Sequence, residues 1–199
     1  MQLSGKTAIV TGSAVGVGRA TALELAKRGA NVVVNYSRSE GEAKETVAEV
    51  ERLGARALLV RADVSRDTEV REMAKRALDT FGSIDVLVNN AGTTAFVDFA
   101  DLDGMTEEHW DRLLAVNLKG PFFCSRAVAG PMKEAGAGAI VNVASIAGVR
   151  AIGSSIAYAA SKAGLINLTI ALARARAARA GQLCRSRLHR HALAASGAR

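Results

Sequence analysis

Several things are scarce in this sequence, and each scarcity removes a class of function. Its 199 residues include only two cysteines, Cys124 and Cys184. They have no metal-type spacing, and two thiols in a chain of this size do not suggest a disulfide scaffold. No uninterrupted apolar run reaches membrane-spanning length, and the opening MQLSGKTAIV lacks a signal-peptide layout. A cytoplasmic protein with no membrane partner is expected. Acidic residues stop at Glu134, so the net charge of +7 is a matter of location. Arg174, Arg176, Arg179, Arg185, Arg187, Arg190 and Arg199 lie beyond it with no acid beside them. Taking those seven from 26 basic residues leaves 19, against 19 acidic ones. The body is neutral and the excess sits in the tail. A basic tail attracts phosphate backbones without reading sequence. This one has no aromatic residue after Arg174, and no specific nucleic-acid partner is expected. His189 and His191 lie near Cys184, but histidines two apart need a further paired ligand motif, and no metal is expected.

What the chain has is apolar patterning. Hydrophobic residues make up 49% of it, enough for the core of one α/β domain. KTAIVTG, NVVVNY, ARALLVRADV, IDVLVNNAG and GAIVNVAS read as short strands, apolar on both faces. Between and after them RATALELAKRG, EGEAKETVAEVERLG, DTEVREMAKRALDTFG, TEEHWDRLLAVNLKGPFFCSRAV and SSIAYAASKAGLINLTIALARA read as helices. Gly29, Gly54 and Gly82 suit helix ends, and Thr106 suits an N-cap. Strand and helix alternate with no repeat and no linker. That order predicts a Rossmann-type, doubly wound parallel sheet in three layers, with its ligand crevice at the carboxyl ends of the strands.

The candidate chemistry falls at those ends. TGSAVGVG places Gly12, Gly16 and Gly18, with Thr11, Ser13 and Val17, between a strand and a helix. Such a loop lets backbone approach a pyrophosphate, which the helix N-terminus then attracts. No Walker lysine follows. The second strand ends at Asn35 and Tyr36, followed by Ser37 and Arg38, and no acid occurs before Glu40. A carboxylate there would select NAD, whereas Arg38 suits the 2′-phosphate of NADP. Asp63 and Val64 follow the third strand, where a carboxylate can meet an adenine amine or simply cap a loop. Asn89, Ala91 and Gly92 of NNAG can admit a flat ring or tie strands together. Tyr158 and Lys162 in YAASK share one helix face. An ammonium there stabilises a phenolate. Ser145 closes the fifth strand, and Asn117 sits inside a helix whose bonding its amide can disturb. Each residue alone is ordinary; their order and context together are not.

Residues 3–173 resemble the short-chain dehydrogenase/reductase family through TGSAVGVG, NNAG, Asn117, Ser145 and YAASK, with Ser145 thirteen residues before Tyr158. The pattern most resembles the 3-oxoacyl-acyl-carrier-protein reductase and glucose dehydrogenase branch. The resemblance implies an NAD(P)-dependent oxidoreductase acting on a small-molecule carbonyl or secondary alcohol. It implies Tyr158 as proton donor and acceptor, and Lys162 as its partner and as the holder of the nicotinamide ribose. Ser145 would orient the substrate, and Asn117 would support the proton relay. Homodimers or homotetramers are usual in the family.

After the helix of Tyr158 the likeness stops. The family continues with a strand ending in V-N-x-V-x-P-G, whereas this chain reads RARAARAGQLCRSRLHRHALAASGAR. Read one nucleotide later with permitted codons, QLCRSRLHRHAL yields N-C-V-A-P-G-F-I-D-T-R, the missing element. We therefore expect a dinucleotide-binding and catalytic domain over 1–173 without the family's last strands. Residues 174–199 then form an irregular or helical basic tail produced by a change of frame near Arg174–Arg176. Low stability and weak turnover are expected, with a non-catalytic nucleotide-binding remnant as the alternative. Sequencing the encoding DNA tests the frame: codons unable to give Pro-Gly from Ser186–Leu188 overturn it.

Overall fold

The computed structural model describes residues 3–180, with side chains described as far as 175. Cys184, His189, His191 and most of the basic tail lie outside the described residues. Five strands form one all-parallel sheet: β1 (Thr7–Val10), β2 (Asn31–Tyr36), β3 (Ala57–Arg61), β4 (Val86–Asn89) and β5 (Ala139–Asn142). Their spatial order is β3-β2-β1-β4-β5, so the chain winds outward from β1 in both directions. The switch of direction between β1 and β4 opens a crevice above their carboxyl ends.

The alternation of side chains along each strand makes two cores. Ile9, Val33, Val60 and Leu87 point to one face, where they meet Val70, Met73, Val116, Cys124 and Val128. Val10, Val32, Val34 and Val88 point to the other, against Ala22, Ala26, Ala43 and Val50. The first face is covered by α3 (Asp67–Phe81) and α5 (Gly120–Glu134), the second by α1 (Gly16–Lys27) and α2 (Glu40–Arg52). Each fully buried Val, Ile or Leu contributes about 1.5–3 kcal/mol, which is why short strands suffice. Glycines with positive φ follow α1, α2 and α3 at Gly29, Gly54 and Gly82, as the sequence suggests. Cys124 is 1% exposed, and burial pushes its thiol up to about 12.

The long helix begins as expected, with Thr106 Oγ1 accepting from His109 N at 3.4 Å. It is not uniform. Between α4 (Glu107–Leu114) and α5 lies one turn of π-helix, Ala115–Lys119. Pro121 has no N–H to give the Asn117 carbonyl four residues earlier, and the backbone widens there. A short helix absent from the sequence reading, α6 (Ala147–Arg150), follows β5. The last helix, α7 (Ile156–Ala180), runs past the expected domain boundary at residue 173. Residues Ile156–Ala175 of it are long and apolar enough to cross a membrane, with hydropathy 1.4. The stretch is not an uninterrupted apolar run, since Ser161, Lys162, Asn167 and Arg174 lie within it. Here the helix lies against α4, the π turn and α6, and Ala157, Ser161, Lys162 and Leu165 are buried.

Among the described residues no strand pairs the outer edge of β5, and Val141 on it is 50% exposed. The opposite half of the sheet is tied more firmly. Asn35 is 1% exposed; its Oδ1 accepts from Gly12 N at 3.1 Å. Its Nδ2 donates to Val60 O at 3.3 Å and Ala62 O at 3.0 Å. One amide thus joins the glycine loop, β2 and β3. Replacing Asn35 by Ala leaves buried backbone groups unpaired and costs about 2–3 kcal/mol; urea unfolding of Asn35→Ala measures the loss.

Candidate active site

A cleft of about 450 Å³ runs across the carboxyl ends of β1, β2, β3 and β4. Its floor is Gly12, Asn90, Ala91 and Gly92. Ser37, Arg38 and Ser39 line one end, with Asp63, Val64 and Arg112 nearby. Gly12 has φ +62, and a side chain there would stand 2.9 Å from Ala91 Cα. Gly18 is still tighter: a Cβ would meet Gly12 O at 2.3 Å and Asn90 Nδ2 at 2.4 Å. Gly12 therefore allows the glycine loop to pack on the loop after β4, and Gly18 allows α1 to pack on both loops. Gly16 at φ +57 has nothing near its Cβ position. Val17, in the first turn of α1, is 64% exposed.

The catalytic candidates converge on the β4–β5 side. Lys162 is 5% exposed, and its Nζ donates to Val143 O at 3.1 Å. That nitrogen lies 5.8 Å from the centre of the Tyr158 ring. Burial lowers the Lys162 pKa from its ordinary value. Asn117, fully buried in the π turn, accepts from Thr93 N at 2.9 Å. Its Nδ2 donates to Thr93 O at 2.9 Å and Ser161 Oγ at 3.0 Å. Ser161 Oγ in turn donates to Tyr158 O at 2.7 Å. The helical bonding is disturbed at Asn117, as the sequence suggests, by the π turn; the amide itself bonds outside its own helix and fastens α7 to the loop after β4. Ser155 Oγ accepts from Tyr158 N at 3.3 Å and caps α7. Ser145 lies three residues beyond β5, not at its end, and its Oγ accepts from Ala147 N at 3.2 Å. With that lone pair engaged, the hydroxyl proton is free to point elsewhere. Gly148 lets α6 lie directly on Lys162: a Cβ there would be 2.6 Å from the Lys162 carbonyl carbon.

Three residues expected near the cofactor have side chains engaged inside the protein. Thr11 is 1% exposed, and its Oγ1 accepts from Asn90 N and Ala91 N, each at 3.0 Å. Ser13 is fully buried, donating to Val10 O at 2.7 Å and accepting from Asn35 N at 3.0 Å. Asn89 is 3% exposed, and its Nδ2 bonds Asn142 Oδ1 at 2.8 Å and Ser125 Oγ at 3.3 Å. Asn142 passes the tie to Thr169 Oγ1 at 2.8 Å. These side chains turn inward because the loop and strand backbones need partners away from water. Residues the sequence reading passed over also line the cleft: Thr93, Val116 and above all Arg112. Ser161, inside YAASK, joins the site through Asn117.

The cleft suits a nicotinamide dinucleotide. Lys162 is a buried cation, and among the described residues no carboxylate pairs with it. Gly92 of the cleft floor lies next to it: a Cβ there would stand 3.6 Å from Nζ, in ordinary contact. Comparison with known proteins decides the matter. A family model described as short chain dehydrogenase matches residues 6–180. This chain belongs to the short-chain dehydrogenase family. It is similar to the 3-oxoacyl-[acyl-carrier-protein] reductase FabG of Staphylococcus epidermidis, 43% identical over 174 residues, covering 87% of this chain and 70% of that protein. An uncharacterized oxidoreductase of Thermotoga maritima is 40% identical over 173 residues, with 87% and 66% covered. A crystal structure of a short chain dehydrogenase from Burkholderia cenocepacia in complex with NADP superposes with a TM-score of 0.82 at 37% identity. It covers 90% of this chain and 71% of that one. Members of the short-chain dehydrogenase family are NAD(P)-dependent oxidoreductases, and this membership favours an enzyme over a non-catalytic remnant.

Lys162 links the site to stability. Its folded-state pKa lies below the unfolded value, so between the two the unfolded chain binds more protons. The cost of burying its charge is full at pH below the folded pKa and disappears as pH rises towards the unfolded value. Urea unfolding from neutral to alkaline pH should show wild type gaining on Lys162→Met; parallel curves would refute the assignment.

Proposed function

We propose that this chain transfers a hydride between NADP and a carbonyl or secondary alcohol, with Tyr158 moving the proton. The observation that carries this reading is the placement of Lys162. A buried, unpaired ammonium stands beside the Tyr158 ring and behind the Gly92 floor of the cleft. A bound nicotinamide cofactor supplies or accepts the hydride. Everything else falls to the protein. Tyr158 Oη gives its proton to the substrate oxygen in reduction and takes it back in oxidation. Ser145 Oγ, already accepting from Ala147 N, donates to the same oxygen and orients it. Lys162 has three donors. One is spent on Val143 O, and the others serve the nicotinamide ribose and the Tyr158 side of the site. Asn117 positions rather than reacts, through Thr93 and Ser161.

Preference for NADP is supported by Arg38 in the cleft wall and by the absence of an acid at the end of β2. Ser37 and Ser39 beside Arg38 add hydroxyl donors for a phosphate. Gly12, Gly92 and Ala91 supply the small floor against which the cofactor lies, and Val64 the wall near the adenine. For substrate, the relation to a 3-oxoacyl-[acyl-carrier-protein] reductase makes a β-keto acyl thioester the first class to assay.

Two substitutions separate the roles. Tyr158→Phe should lower kcat/KM for carbonyl reduction by about a thousandfold, within the range for losing an acid–base group, while leaving NADPH affinity nearly unchanged. Lys162→Ala should lose both rate and affinity. Stopped-flow reduction and NADPH fluorescence titration measure them; a Tyr158→Phe variant with wild-type turnover ends the proposal.

A further inference from the structure

One lining residue of the cleft has no place in the chemistry above. Arg112 rises from α4 and reaches across to the end of β3. Its Nη1 lies 3.2 Å from Asp63 Oδ2 and 3.3 Å from Ser65 Oγ. The other oxygen of Asp63 is held by Ser65, through N at 2.9 Å and Oγ at 2.7 Å. Among the cleft-lining residues the charged ones are Arg38, Asp63 and Arg112. A second carboxylate stands close behind: Glu69 Oε2 accepts from Asp63 N at 2.7 Å, and Arg66 faces Glu69 at 3.5 Å. Desolvation opposes ionisation of Asp63, but the Ser65 bonds and the Arg112 charge outweigh it and hold the carboxyl below its ordinary value. The end of the cleft that carries Arg38 would thus face a bare negative charge if Arg112 were absent.

We propose that Arg112 is a specificity-determining residue: it neutralises Asp63 and so permits the phosphate-bearing nucleotide to be favoured at the Arg38 end. This rests on the reading of Arg38 as the 2′-phosphate contact. The physical reason is unequal charge. A 2′-phosphate adds a charge of about −1.5 to −2 at neutral pH. An unpaired Asp63 therefore penalises NADPH more than NADH, whereas a lost packing contact weakens both alike. The pair is partly exposed, with side chains 42% and 24% accessible, so salt attenuates the effect.

The test is fluorescence titration of the full chain with NADPH and with NADH at low and high salt. Arg112→Met should lower the NADPH-over-NADH affinity ratio about fivefold to tenfold at low salt, and less at high salt. Asp63→Asn alone should move the ratio the other way, because it leaves Arg112 uncompensated. The double variant should return it towards wild type. Equal weakening of both nucleotides by Arg112→Met, or a ratio unmoved by Asp63→Asn, overturns the proposal. Arg38→Ala checks the reading beneath it. If the ratio ignores Arg38 yet follows Arg112 and Asp63, the phosphate contact lies elsewhere and the charge balance stands. If the wild-type chain binds neither nucleotide, both fall.

Discussion

The amide of Asn117 is the fastening on which the site depends. It joins three pieces of backbone by hydrogen bonds: the loop after β4, the π turn and the start of α7. With it, Thr93 is held through both its N–H and its carbonyl, and Ser161 is drawn to the same point. Ser161 is bonded to the carbonyl of Tyr158, so the backbone that carries the phenol is tied to a residue forty-one places earlier. Burial makes this tie strong, because each of these groups would be costly to leave unpaired in a dry interior.

A second tie lies beneath the first and does a different job. Asn89, Asn142 and Thr169 form a chain of side-chain bonds from β4 through β5 to α7. It fixes the helix to the carboxyl ends of β4 and β5. Lys162 then closes the gap between the two ties by bonding Val143 just after β5. The reacting groups therefore stand on a helix held at three depths, which is the rigid placement that proton transfer over hydrogen-bond distance requires.

The parts legible in the sequence were those with a single dominant cause. Strands buried on both faces must be apolar throughout, so NVVVNY and IDVLVNNAG announced themselves, as did YAASK beside Ser145 and Asn117. The parts left open had competing causes. Thr11, Ser13 and Asn89 stand where a ligand contact or an internal bond would use the same residue type, and only side-chain direction separates these. Arg112 looks like any charged residue on a helix until β3 is brought beside α4. The π turn was half visible: Asn117 drew notice, but Pro121, which removes the donor four residues on, was not connected with it. A four-residue helix such as α6 has too few positions to show a period.

Cys124 carries a practical consequence. Its thiol sits between the sheet and α5 in the larger core cluster, 1% exposed and held protonated by burial. An alkylating reagent needs the thiolate, so reaction there must wait for α5 to lift from the sheet. Peptide mapping distinguishes it from Cys184. The protein thus contains its own clock for the opening of the α5 face of the sheet, readable by mass spectrometry with no label engineered in.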